Sequence, residues 1–250
     1  MRMACVLIPA LLWIAGPSVA QSFDPRKPPP VQEIRSLVKE VKKAWKRADA
    51  GGRKTLLDRL ADVDHHLTLE ALVDCCRKVP GEICFHAIGL LPLWDAKYLE
   101  KELPRLLRIR SGNHPTYQAC VQLAVEQQVH ACLPEIRRTA LERVAPSGSP
   151  GTDQPARTRT LCLVALGEIK HEDNLPVLVE VMEQYAGLET EQVQHGDGGD
   201  QGWPCFYIPA RTSFCAITLS GVSTSAEARA WLRDHPEFRV QRGPTTRADR

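Results

Sequence analysis

Cysteine is the residue type of this chain that is best suited to chemistry. The 250-residue sequence contains nine cysteines, and thiols can form disulfides, bind metals or act as nucleophiles. No two of them are spaced as Cys-x-x-Cys, and Cys-x-x-Cys-His is also absent. The sequence therefore indicates neither a thioredoxin-like redox site nor covalent attachment of haem.

Histidines with neighbouring acids recur at polar turns, where a metal site is the chemistry to consider. They are His65-His66, His171-Glu172-Asp173, and His130 close to Cys132. A helical metal site usually needs two ligands four residues apart, and no His-x-x-x-His occurs. Helix capping, with Asp173-Asn174 before Leu175, explains these residues adequately. We expect no metal, no cofactor and no catalytic residue, because nucleophile motifs and glycine-rich phosphate loops are absent as well.

Two sets of residues are candidates for binding a partner. Arginines occur in two central helices, as Arg105, Arg108 and Arg110 and as Arg137, Arg138 and Arg143, and would favour an acidic protein if they share one surface. Glu135 and Glu142 lie among them, so a solvated helix face is the alternative. Aromatic residues also suit contact surfaces. The second set, in an insertion over 186–208, comprises Trp203, Phe206 and Tyr207; the alternative is that these rings cover an exposed end of the fold.

The N-terminus resembles a secretory signal peptide. A short basic start precedes an apolar run over 6–15, and small residues end at Ala20. Cleavage there would leave an exported chain, and an uncleaved helical anchor is the alternative. Residues 21–30 read as a proline-rich linker, and 239–250 as a disordered tail. The net charge of +2 and the absence of another membrane-length segment predict neither nucleic-acid binding nor a membrane span in the mature chain.

The remaining chain, 31–238, predicts an all-α fold. Apolar residues recur at alternating spacings of three and four, and no long segment alternates with the period of a strand. Positively charged residues cover the rest of the first helix, which we expect to cap the fold over 31–52, with Gly51-Gly52 ending it.

Internal repeats organise these helices into pairs. The segment 161–182 has a small-residue step at Ala165 and Gly167 followed by a second helix at Leu175-Pro176, and 119–141 aligns with it after a shift of 42 positions. Further copies fit at 56–73, at 83–107 with its second helix at Leu103-Pro104, and at 214–232. Glycine or alanine at the step would let two helices approach closely.

This pattern resembles the HEAT repeat family, in particular the short HEAT-like repeats of phycobilisome lyases. The resemblance rests on the segments 165–169 and 175–178, echoed at 87–89 and 133–136. It implies a right-handed α-solenoid of about five stacked helix hairpins, whose second helices line a concave surface that holds a protein partner. An irregular helical bundle is the alternative architecture.

The repeat alignment divides the cysteines into two groups. Cys84, Cys120, Cys162 and Cys215 occupy one equivalent position in the first helices, where we expect small buried side chains too far apart to bridge one another. The remaining candidates for a disulfide or redox role are Cys75, Cys76, Cys132 and Cys205. Cys75 and Cys76 are adjacent, so one can face the core and the other the surface; a vicinal disulfide or a reactive thiol stays open.

The sequence therefore predicts an exported, non-enzymatic scaffold that binds a protein partner. An accessory lyase or chaperone-like protein related to the bilin lyases is the second hypothesis, and spectral capture of a bilin would distinguish the two.

Overall fold

The computed structural model describes residues 29–142, 154–186 and 206–240, and these residues form eleven α-helices and no strand. The all-α prediction is confirmed. The helices are α1 (Val31–Trp45), α2 (Ala50–Ala61), α3 (His66–Cys75), α4 (Gly81–Leu90), α5 (Ala96–Arg110), α6 (His114–Glu126), α7 (Leu133–Leu141), α8 (Gln154–Glu168), α9 (Asn174–Gln184), α10 (Tyr207–Thr218) and α11 (Ser225–Asp234).

The helices pack in two rows. In one row α2, α4, α6, α8 and α10 each contact the next member, and in the other row α1, α3, α5, α7, α9 and α11 do the same. We call these the even row and the odd row. The core lies between them and includes Leu57, Leu72, Leu107, Ile136 and Leu178, all fully buried. No helix in the described ranges is long and apolar enough to cross a bilayer.

Small residues bring the helices of the even row together, as the sequence predicts. A Cβ atom built on Gly167 of α8 would lie 2.6 Å from Oγ of Ser213 on α10. The Ser213 hydroxyl donates a hydrogen bond of 2.8 Å to the carbonyl oxygen of Leu163. This pair of contacts fixes α10 against α8.

Two helix boundaries differ from the prediction. The helix α1 ends at Trp45, and Gly51-Gly52 lie in the first turn of α2 because the Asp49 side chain accepts a hydrogen bond from the Gly52 N–H and begins a new helix there. The second correction concerns Leu103-Pro104, which do not open a helix. The helix α5 already begins after Asp95, whose carboxylate accepts from the Lys97 N–H, and Pro104 lies buried inside it.

The predicted signal peptide over 1–20, most of the linker and most of the 186–208 insertion lie outside the described residues, as does the tail beyond Val240. The described end of the insertion is helical from Tyr207 onward.

Candidate protein-binding surface

One carboxylate on the odd row, Asp74 of α3, lies between two stripes of cations. It accepts a hydrogen bond of 3.1 Å from Nζ of Lys42 on α1 and another from the guanidinium of Arg105 on α5. Arg77 approaches the same carboxylate at 3.7 Å. Asp74 therefore links three neighbouring helices of the odd row.

Helical spacing places further cations beside Lys42 and Arg105. Residues three and four apart share a face of a helix, and Lys42 belongs to such a set on α1, as Arg105 does on α5. The two stripes are Arg35, Lys39, Lys42 and Lys46 on α1, and Lys101, Arg105 and Arg108 on α5. Together with Arg77 we call them the basic face.

Carboxylates neutralise the basic face only in part. Asp74 forms ion pairs with Lys42, Arg77 and Arg105. The buried Glu102 pairs with Arg105 at 3.1 Å and with Lys101 at 3.7 Å, and Glu135 of α7 pairs with Arg108 at 3.5 Å. Within the described ranges, no carboxylate forms an ion pair with the exposed cations Arg35, Lys39 and Lys46.

The pKa values of the central pair agree with this geometry. Burial alone would raise the pKa of Asp74, but the hydrogen bond from Lys42 and the charge of Arg105 lower it overall. Burial alone would lower the pKa of Arg105, but its interactions with Glu102 and Asp74 raise this pKa overall. Both groups stay ionised at neutral pH.

The described arginines of α7 are also paired with acceptors, one of which, Glu135, is shared with Arg108. Arg137 donates from Nε to Oδ1 of Asn174 at 2.8 Å and lies 3.6 Å from the Asp173 carboxylate. Arg138 pairs with Glu135 and Glu142. Of the six arginines singled out in the sequence, Arg105 and Arg108 belong to the basic face, Arg110 is buried, and Arg143 lies outside the described residues. Arg137 and Arg138 belong to a locally neutral stretch.

The described aromatic residues of the insertion pack in the core. Phe206 is 2% exposed and Tyr207 fully buried. Phe206 lies edge-on against Tyr185, and the Tyr207 hydroxyl donates to the Ser223 carbonyl oxygen at 2.8 Å. Their burial removes both from the partner-binding candidates and fits the alternative, in which they cover the end of the fold. Trp203 lies outside the described residues.

The cysteines in the repeated position are mostly buried. Cys84, Cys120 and Cys162 are fully buried in α4, α6 and α8, as expected. Cys215 on α10 is partly exposed, and its thiol lies 3.6 Å from the carbonyl oxygen of Val222. The seven described cysteines are free thiols.

The other cysteine candidates are also buried. Cys75 and Cys76 both face inward, which corrects the expectation that one would face the surface: α3 ends at Cys75, and the chain tightens into a 3-10 turn over 76–78 that directs both thiols inward. Burial raises the pKa of Cys75 to about 11 and also raises that of Cys132. Cys205 lies outside the described residues.

One histidine turn caps a helix, and a second is closed by a histidine side chain before its helix begins. Nδ1 of His65 accepts from the Leu67 N–H at 3.1 Å, and Nδ1 of His171 accepts from the Asp173 N–H at the same distance. Asp173 itself makes no capping hydrogen bond, and Asn174 is buried inside α9. His171 therefore closes the turn before α9, and the expected side-chain cap from Asp173 is not formed. In the described part of the chain, no three His, Cys, Asp or Glu side chains converge as metal ligands.

Sequence reasoning missed the α1 half of the basic face. The lysines of α1 recur at helical spacing, which could have indicated a charged binding face. A capping helix is also expected to carry solvated charges, and these lysines fit that role equally well. Searches of family models, curated proteins and solved structures found no match to this chain.

Proposed function

We propose that this chain is an exported HEAT-like α-solenoid that binds an acidic surface of another protein through its basic face. The packing of the two rows supports the solenoid, because each helix contacts the helix that comes two helices later in the chain. In this proposal the even row is the layer of first helices and the odd row the layer of second helices. No catalytic residue enters the proposal.

The observation that carries the proposal is the position of Asp74 between Lys42 and Arg105. This carboxylate fixes the α1 stripe beside the α5 stripe, so cations from both helices lie on one surface. A row of like charges held by a rigid scaffold steers an oppositely charged partner and fixes its register. Lys39 and Lys46 are exposed and unpaired within the described ranges, so they can meet the partner without breaking an internal ion pair.

Charge reversal on α1 tests the proposal with a matched control. The variant Lys39→Glu/Lys46→Glu changes the basic face, whereas Lys170→Glu/Arg239→Glu makes the same change of net charge at exposed positions outside α1 and α5. The partner is first captured with the mature wild-type protein from the extracytoplasmic fraction. Its Kd for each purified variant is then measured at two salt concentrations.

We expect the face variant to weaken binding by about tenfold or more, with a smaller salt dependence, since two interface charges are reversed. We expect the control to bind within about twofold of wild type. Equal losses in both variants would show that net charge alone matters, and unchanged binding by the face variant would place the interface elsewhere. Either result contradicts the proposal.

A further inference from the structure

A groove opens at the N-terminal end of the two rows, on the side of α1 that lies opposite the basic face. Its volume of about 490 Å³ falls within the range of protein ligand sites. The residues that line it belong to α1, with one exception from α2, and are Gln32, Glu33, Ser36, Leu37, Glu40 and Arg59. We call it the acidic groove.

Helical spacing separates the acidic groove from the basic face. Glu33, Leu37 and Glu40 follow one another at spacings of four and three residues, so they share one stripe of α1. At about 100° per residue, this stripe lies on the flank of α1 opposite Lys42, which reaches α3 through Asp74. The acidic groove therefore faces away from α3, toward the open end of the odd row. The extensive contacts of α1 in the described ranges are with α2 and α3 alone.

Ion pairs join neighbouring helices along the whole odd row. They are Lys42–Asp74 between α1 and α3, Asp74–Arg105 between α3 and α5, Arg108–Glu135 between α5 and α7, Arg137–Asp173 between α7 and the start of α9, and Glu183–Arg229 between α9 and α11. Each joint thus places a cation of one helix against a carboxylate of the next. The stripe at the open end of the row is one half of such a joint.

The acidic groove has an apolar floor between two carboxylates. Glu33 and Glu40 are exposed, whereas Leu37 is half-buried and packs on the core. The Arg59 guanidinium of α2 lies 3.5 Å from the Glu40 carboxylate, so a guanidinium can approach the groove. In the described part of the chain, no cation forms an ion pair with Glu33. The lining therefore keeps an excess of negative charge.

We propose that the acidic groove binds an amphipathic helix of a partner protein, on which two basic residues seven positions apart flank an apolar side chain.

Such a helix matches the groove in length, polarity and charge. Glu33 and Glu40 are seven residues apart, which is about 10 Å along the axis of α1 and two turns of any second helix beside it. Cations at this spacing would meet both glutamates, and the apolar residue between them would cover Leu37, as in helix-in-groove recognition. A polar outer face is enough to keep a terminal repeat soluble, but solubility requires neither a concave shape nor an apolar floor.

The other end of the rows does not supply this helix from a second copy of the chain. At helical spacing, Glu227 and Asp234 lie on the flank of α11 opposite Arg229, which pairs with Glu183 of α9. The open ends of both rows thus carry carboxylates, and like charges facing each other oppose association. Charge complementarity therefore favours a basic partner over end-to-end stacking of this chain.

Fluorescence polarisation with a synthetic helix tests the proposal on the full chain. The probe is a fluorescein-labelled, stapled peptide helix in which two arginines seven residues apart flank a leucine on one face. A control probe has the same composition, with both arginines moved to the opposite face. The protein variant Glu33→Gln/Glu40→Gln removes the two carboxylates of the groove, and its matched control Glu126→Gln/Glu168→Gln removes two exposed carboxylates of the even row.

We expect the wild type to bind the first probe about tenfold more tightly than the control probe, with an affinity that falls as salt is added. The variant Glu33→Gln/Glu40→Gln should weaken binding by about fivefold or more, because two ion pairs are lost. The variant Glu126→Gln/Glu168→Gln should bind within about twofold of the wild type. Circular dichroism verifies that both variants fold.

Equal affinities for the two probes, or equal losses in the two variants, would refute the proposal. A gain in affinity for the variant Arg26→Gln/Lys27→Gln would assign the groove to the chain's own N-terminal segment instead. Dimerisation of the wild type that is lost in Glu33→Gln/Glu40→Gln would assign it to a second copy. Either assignment overturns the binding of a partner helix.

Discussion

Gly167 and Ser213 bring two helices of the even row into direct contact. A Cβ atom on Gly167 would lie 2.7 Å from Cβ of Ser213 and 2.9 Å from its Cα. Backbone as well as side chain thus occupies the space that any larger residue at 167 would need.

Replacement of Gly167 by alanine should therefore destabilise the fold. The added methyl group forces α8 and α10 apart, and overpacking of this kind costs about 1–3 kcal/mol. Denaturant unfolding followed by circular dichroism measures the change. Gly89→Ala is the matched control, since no atom lies within 4 Å of the place that its Cβ would occupy, and alanine should stabilise this helix by up to about 1 kcal/mol. Equal losses in both variants would contradict the close-approach explanation.

Arg159 should be among the polar residues that are most important for stability. Its fully buried guanidinium donates hydrogen bonds of 2.8 Å to the Ala140 carbonyl oxygen, the Tyr185 hydroxyl and Oε1 of Gln184. It also lies 4.4 Å from the centre of the Phe206 ring. Arg159→Met removes all three donors, and we expect it to lower the free energy of unfolding by about 2–4 kcal/mol.

Lysine at position 159 should recover little of this loss, because an ammonium group cannot reproduce the planar fork of donors. Lys170→Met removes an exposed cation and serves as the control, with an expected change within about 0.5 kcal/mol. A small effect of Arg159→Met in the same urea titrations would show that Arg159 does not hold α7, α9 and α10 together.

The cap at His65 should make stability depend on pH. Burial lowers the pKa of His65 below its ordinary value of 6.5, the charge of His66 lowers it further, and Asp64 opposes both. The unfolded chain therefore binds this proton at a higher pH than the folded chain, so the cap stabilises the fold above pH 6.5 and this contribution is lost as the pH falls through the folded pKa. Protonated Nδ1 can no longer accept from Leu67.

Thermal unfolding between pH 5 and pH 8 measures this dependence. We expect the Tm of the wild type to fall on acidification more steeply than that of His65→Asn, whose amide oxygen keeps a cap and does not titrate. Parallel pH curves for the two proteins would remove His65 as the cause.

The ion pair between Asp74 and Arg105 should couple α3 to α5. Both side chains are 27% exposed, so solvent screens the pair only in part. A double-mutant cycle with Asp74→Asn and Arg105→Gln should give a coupling of about 1 kcal/mol, against about 0.3–0.5 kcal/mol for the exposed pair Arg138–Glu142. Because the pKa of Asp74 is lowered, the coupling should vanish in acid, as the pH falls through that lowered pKa. A pH-independent coupling would contradict an ionic origin.

The helical class was predictable because periodicity reports which face of each helix is apolar. The close approach at Gly167 and the burial of Cys84, Cys120 and Cys162 followed from the repeat alignment, and all are confirmed. The prediction that a helix begins at Leu103-Pro104 was wrong. It relied on the preference of proline for the first turn of a helix, where its missing N–H costs no hydrogen bond. Here the Asp95 cap starts α5 at Ala96, seven residues before Leu103, and the helix continues through the proline.

The buried polar residues could not be predicted from the hydrophobic pattern of the sequence. Arg110 and Arg159 look like surface residues in the sequence, because arginine is rarely buried. Their burial depends on carbonyl, hydroxyl and amide acceptors from other helices, and one-dimensional spacing does not reveal such partners. For the same reason, neither the hydrogen bond of Arg137 to Asn174 nor its ion pair with Asp173 could be predicted from the sequence.

The two-row packing also has a consequence for how the chain folds. Every extensive helix contact in the described ranges joins elements no more than two helices apart, and the hydrogen bonds between helices in the even row span 28 residues at Lys54–Glu82 and 50 at Ser213–Leu163. Contacts limited to helices that are near each other in the sequence keep the relative contact order low, and a low contact order favours fast folding. Each new helix can dock on the helices that precede it as soon as it has been synthesised, so folding can proceed from the N-terminal end.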